Sequence, residues 1–151
     1  MRQTSLLEAK HFHRILDANL NRSREGLRVC EEVARFYFDD ARLTRELKNL
    51  RHDISQIFLR FPGSPFSLLA ARDTQGDVGA VSSAREKNKK NIADLFLANI
   101  QRTKEALRVL EEVAHVLSPD ISTKFKKLRF KAYAIEKQAL PRLETLLHHK
   151  R

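Results

Sequence analysis

The chain has 151 residues, enough for one domain with a single core, and 42% of them are hydrophobic. Only four Gly and four Pro interrupt it, which favours long helices, and the single cysteine, Cys30, excludes an internal disulfide framework and suits a reducing compartment. The net charge of +10 points to anionic partners: phosphorylated small molecules, acidic lipid or nucleic acid.

No apolar run approaches the ~20 residues of a membrane span, and the N-terminal stretch lacks the apolar core of a secretory signal. A cytoplasmic protein with no membrane partner is expected. The basic residues are spread along the chain, with KNKK at 87–90 and HHKR at 148–151 the densest runs.

In chain order, Ser5 and Glu8 have the spacing of a capping box, and helical apolar spacing then runs to about Phe38, where two aspartates break it. A second helix is predicted over about 43–61, stopped by PGSP at 62–65. A short apolar piece, FSLLAA, leads into RDTQGDVG at 72–79. Ser83 and Glu86 make another capping box, from which a third long helix runs to about Leu117. Ser118 followed by Pro119 reads as an N-cap with proline in first position, and a fourth helix runs to about Leu140. Pro141 should kink that helix or begin a last short one.

NLNRSREGLRVCEEVA at 19–34 returns as NIQRTKEALRVLEEVA at 99–114, with ten of sixteen positions identical. The following helices echo each other too, LKNLR at 47–51 matching FKKLR at 125–129. The expected fold is therefore an all-α bundle, one domain over residues 1–151. It is built of two repeated hairpins, about 13–60 and 93–140, joined by a long functional loop of about 61–84. Such hairpins would pack around a pseudo-twofold axis that gathers equivalent residues at one place.

On a helical wheel the first repeat splits into an apolar and a polar half, with Asn19, Arg22 and Ser23 falling in the apolar half. Asn99, Arg102 and Thr103 repeat the exception. A buried arginine is costly unless paired and hydrogen-bonded. One reading is an internal ion pair, Arg22 with Glu25 or with an acid of a facing helix. The other is a polar pocket between the hairpins lined by Arg22, Arg102, Asn19 and Asn99, since the planar guanidinium suits phosphate oxygens. Glu25 and Glu105 beside them would bind Mg²⁺ or fix the guanidinium groups. Arg28, Arg108, Glu31 and Glu111 lie on the polar side and are expected to face solvent, the loop or another subunit. Gly26, which is Ala106 in the second repeat, lets the first helix be approached more closely.

A loop as long as 61–84 in a compact domain is usually functional or disordered. Gly76 and Gly79 permit close approach to a ligand, Asp73 and Asp77 are hard oxygen donors of the kind Mg²⁺ takes beside phosphates, and Arg72 is placed to clamp a phosphate. An ordinary surface turn rich in Asp and Gly is the competing reading. Cys30 reads as core filler. His11 and His13 point to different faces and make a poor metal pair, His52 is as well placed for solvent as for the pocket, and no nucleophile triad is evident.

Together the blocks ILDANLNRSREGLRVCEEVARF, LRHD, LLAARDTQGDVG, NIQRTKEALRVLEEVA and KLRFKAYAIEK resemble a small all-helical kinase family of thiamin biosynthesis. The likeness covers about residues 13–140. Members phosphorylate hydroxymethylpyrimidine monophosphate to the diphosphate and occur alone or fused ahead of thiamin-phosphate synthase; this chain resembles the standalone form.

The resemblance implies an ATP- and Mg²⁺-dependent phosphotransferase, with a partnership with the synthase and a homo-oligomer as further expectations. It places weight on Asn19, Arg22, Glu25, Arg28 and Glu32, on Asn99, Arg102, Glu105, Arg108 and Glu112, and on Arg72, Asp73, Asp77 and Gly79, and less on Arg51, Arg129 and Tyr133. The working assignment makes Arg22, Arg102, Arg72 and Asp73 catalytic. Asn19, Arg28, Arg51, Gly76, Gly79, Asn99 and Arg108 bind substrate or phosphate, and Asp73, Asp77, Glu25 and Glu105 hold the metal. The alternatives are a helical mutase of the chorismate type, a non-catalytic scaffold, and a helical nucleic-acid-binding module. The loop argues against the mutase. The scarcity of aromatics and the lack of a reading head argue against nucleic acid.

Overall fold

The structure is a computed structural model and describes residues 5–61, 65–80 and 89–148. Five α-helices build it: α1 Leu6–Glu32, α2 Ala41–Phe58, α3 Pro65–Ala71, α4 Ile92–Leu117 and α5 Pro119–His148. The all-helical bundle is as expected, and no helix among the described residues is long and apolar enough to cross a membrane.

Local chemistry sets most of the boundaries. At the head of α1 the Ser5 hydroxyl accepts the Glu8 N–H, while the Glu8 carboxylate accepts the Ser5 N–H. α1 ends in a π-helical turn, Val33–Tyr37, closed by the Phe38 N–H donating to the Val33 carbonyl at 3.0 Å. Asp39 then takes a positive φ of 50°. Asp40 caps α2, its carboxylate accepting the Leu43 N–H at 2.9 Å.

Three expectations change. The stretch after residue 61 is not structureless, because FSLLAA folds as α3, with Leu68 and Ala71 buried. α4 begins at Ile92, where the Asn91 side chain accepts the Asp94 N–H at 2.8 Å; the Ser83–Glu86 capping box lies outside the described residues. α5 neither stops nor restarts at Pro141 but continues to His148. Proline removes one helical donor, yet Ala139 and Leu143, buried on either side of it, hold both segments against the core.

The core runs through all five helices. Leu16, Leu20, Leu27 and Cys30 of α1 meet Phe96, Ile100, Leu107 and Leu110 of α4, while Leu47, Leu50, Ile54 and Ile57 of α2 and Phe125, Leu128, Ala132 and Ile135 of α5 complete it. Phe61 stacks on Phe125 with ring centroids 6.0 Å apart. The two repeated blocks thus lie on α1 and α4, which cross closely: the Thr103 hydroxyl donates to the Ser23 carbonyl at 3.2 Å. A β-carbon added to Gly26 would stand 2.6 Å from Thr103 Oγ1 and 2.7 Å from the Asn99 carbonyl oxygen, so the crossing needs glycine there.

Candidate functional site

Part of the repeat serves the scaffold. Glu31 is buried and accepts from Arg28 Nη1 at 3.3 Å and from Arg51 Nε at 2.9 Å. Glu111 is buried in the same way, accepting from Arg108 Nη1 at 3.2 Å and from Arg129 Nε at 2.7 Å. Arg28 and Arg108 each use Nη2 to reach a second acid, Glu32 and Glu112, both at 2.7 Å. The expectation that Glu31 and Glu111 face outward is therefore corrected. They lie at the edge of the wheel's polar half, and the second helix of each hairpin covers that edge with an arginine. The bond to Glu111, and then one to Tyr133, raises the pKa of the Arg129 guanidinium.

Arg22 and Arg102 are corrected in the opposite sense, since both are exposed and neither has an ion-pair partner among the described residues. Their neighbours Ser23 and Thr103 are fully buried. One residue is about 100° of helix, which carries the long arginine side chain past the rim of the interface. Asn19 and Asn99 turn their amides back onto their own helices, donating to the Ile15 carbonyl at 2.9 Å and to the Leu95 carbonyl at 2.8 Å. The pocket expected between the hairpins is thus replaced at the crossing by close backbone contact.

A cleft of about 620 Å³ opens instead on the outer side of α1. Asn19, Arg22 and Glu25 line it from the first repeat, and Arg72, Asp73 and Asp77 line it from the segment after α3. That segment is held down by Arg72, which clasps Asp17 through Nε at 2.8 Å and Nη2 at 2.9 Å. The pair raises the pKa of the Arg72 guanidinium. Asp73 accepts the Gly76 N–H at 2.8 Å and Asp77 accepts the Gly79 N–H at 2.9 Å, so the two glycines shape the carboxylates' loop.

Six of the sequence-nominated residues therefore converge: Asn19, Arg22, Glu25, Arg72, Asp73 and Asp77. From the second repeat only Val109 reaches this cleft; Asn99, Arg102, Glu105 and Arg108 do not line it. Arg28 and Arg51 also stand apart, answering Glu31. Glu105 accepts from Gln101 at 3.2 Å.

Sequence reasoning missed Arg14 and the Asp17 anchor, and set His11 aside, although His11 and Arg14 line the cleft. The available signal was the spacing of His11, Arg14, Ala18, Arg22 and Glu25, at three- and four-residue steps along one face of α1.

Among the described residues, three arginines and four carboxylates line the cleft: Arg14, Arg22, Arg72, Asp17, Glu25, Asp73 and Asp77. An anion would meet guanidinium groups there, and a cation would offset the surplus of carboxylates. Among the described residues no three His, Cys, Asp or Glu side chains gather as a closed metal cage.

The chain belongs to the ThiD2 family, whose match spans residues 14–138. It is 40% identical over 128 residues to thiamine-phosphate synthase of Rhodopirellula baltica, covering 84% of this chain and 34% of that protein. The protein of the same name from Nostoc punctiforme is 42% identical over 125 residues, and that of Synechocystis sp. 44% over 124; each match covers 82% of this chain and 34% of the relative. The chain thus spans about a third of the length of the curated relatives it matches. No solved structure matches it.

Proposed function

We propose that this chain works in thiamin biosynthesis as a kinase, transferring the γ-phosphoryl of Mg·ATP onto hydroxymethylpyrimidine monophosphate. Family membership and the name of the relatives support the pathway. The observation that carries the chemistry is the cleft where Arg22 and Glu25 of the repeat meet Arg72, Asp73 and Asp77 of the loop. A functional association with thiamine-phosphate synthase, the name its relatives bear, is part of the same proposal.

The acceptor is a phosphate monoester with a second pKa of about 6, so at neutral pH its oxygen is already ionised and no general base is required. That oxygen attacks the γ-phosphorus, the bond from γ-phosphorus to the bridging oxygen breaks, and ADP leaves with the electron pair. Positioning and charge neutralisation then make up the catalysis. Arg22 and Arg72 hold phosphate oxygens, and Asp73 and Asp77, with Glu25 nearby, would hold Mg²⁺. The metal supplies neutralisation of charge on the nucleotide phosphates.

The test is to incubate the protein with Mg·ATP and the pyrimidine monophosphate and follow the diphosphate by phosphorus NMR, with the free alcohol as a parallel substrate. Product from the monophosphate alone is expected. No product from folded protein that binds ATP would overturn the kinase.

A further inference from the structure

The cleft has a neighbour. A smaller hollow of about 330 Å³ is lined by Leu7, Lys10, Ala70 and Ala71, and it shares His11, Arg14, Arg72 and Asp73 with the larger one. The two are lobes of one depression with a charged waist. Both volumes fall in the range of roughly 300–1,000 Å³ typical of small-molecule sites.

Their linings differ. The small lobe has an apolar wall of Leu7, Ala70 and Ala71 and one added cation, Lys10. The large lobe carries amides and carboxylates, Asn19, Asn21, Glu25 and Asp77 among them. At the waist Arg72 is already clasped by Asp17, whereas Arg14 is half-buried with no ion-pair partner among the described residues.

A kinase must bring two ligands together at one phosphorus. Resting on the kinase reading, we infer that the small lobe takes the phosphorylated ring acceptor and the large lobe the nucleotide, with Arg14 contacting the phosphoryl as it crosses the waist. The flat ring lies on Leu7, Ala70 and Ala71, and its phosphate lies between Lys10 and Arg14. The acceptor oxygen forms its bond to the γ-phosphorus there, and ADP departs into the large lobe.

The test uses Mg·ADP and the pyrimidine monophosphate as calorimetric probes, each alone and both together, on the wild type and on Ala70→Trp, Lys10→Ala, Arg14→Ala and Arg14→Lys. Ala70 is exposed, so tryptophan fills the lobe without entering the core. Simultaneous binding of both probes to the wild type is expected. Ala70→Trp and Lys10→Ala should weaken the pyrimidine phosphate at least tenfold and leave Mg·ADP within about twofold, the loss of one charged hydrogen bond being worth roughly tenfold or more. Arg14→Ala should lower kcat more than it raises either KM, with partial rescue in Arg14→Lys. Competition between the probes, or an Ala70→Trp protein that binds the pyrimidine phosphate normally or loses both ligands, overturns the lobe assignment while leaving the kinase standing if the wild type makes diphosphate. Joint binding with the expected variant effects but no transfer keeps the lobes and overturns the kinase. A wild type that binds neither probe overturns both.

Discussion

Glu31 and Glu111 each sit between two arginines, one on their own helix and one on the next. The glutamates are buried while the arginines reach solvent, so replacing a glutamate loses charge-assisted hydrogen bonds without stranding a buried charge, at a cost of about 1–3 kcal/mol. Glu31→Gln and Glu111→Gln should therefore each lower the urea midpoint by that equivalent. A loss below about 1 kcal/mol would mean that the clusters behave as surface pairs. Arg22→Ala should do the reverse: thermal stability within about 0.5 kcal/mol of wild type, since the side chain is exposed and has no ion-pair partner among the described residues, and turnover reduced about a hundredfold or more. Unchanged turnover would remove Arg22 from the site. Cys30 belongs to neither set. It is fully buried with Sγ 3.4 Å from the Phe96 carbonyl oxygen, and burial pushes its thiol well above the usual range. A thiol reagent should label it only as fast as the bundle unfolds.

Among the elements, the crossing of α1 and α4 is the tightest test of packing. Alanine at residue 26 would gain about 1 kcal/mol of helix propensity, but its β-carbon would meet a backbone carbonyl. Gly26→Ala should therefore destabilise, by about 1–3 kcal/mol in chemical denaturation; a stabilised variant would show that the helices separate freely. The start of α2 carries a pH signature. The Leu43 N–H, with Arg142 beside it, holds the Asp40 carboxyl below its usual value. A depressed carboxyl adds stability above its unfolded pKa of about 3.9, and that increment is lost as pH falls through the lower folded value. The stability difference between wild type and Asp40→Asn should be constant near neutrality and close in that acid window. A difference that does not change with pH would rule the charge out.

The helices were legible because apolar spacing reports a buried stripe, the Ser5 start because capping is local chemistry, and the Pro119 start because proline suits the first helical position. α3 was not, since seven residues carry too little periodicity to tell from an apolar loop. The wheel sorted Arg22 and Glu31 onto the wrong sides because both lie at the stripe's edges, where the neighbouring helix decides. Asn19, Arg22, Glu25, Arg72, Asp73 and Asp77 were nominated from sequence, but their meeting place depends on where the loop lands. That is set by a contact between Asp17 and Arg72, 55 residues apart, which no local pattern encodes.

At the scale of the whole molecule, the duplicated helices and ion-pair sets make a rigid frame, whereas the segment at 72–80 lies on it exposed along its whole length. Among the described residues it is tied to α1 by the Arg72–Asp17 pair, whose guanidinium is exposed, and such a pair is worth about 1 kcal/mol. Amide hydrogens of that segment should therefore exchange through a local opening far cheaper than global unfolding. Added salt should speed their exchange while leaving the slowest core amides nearly unchanged, because screening weakens solvent-exposed charges more than buried ones. A phosphate that draws Arg72 from Asp17 would take over the same fastening, so that ligand occupancy and ionic strength act on one shared equilibrium.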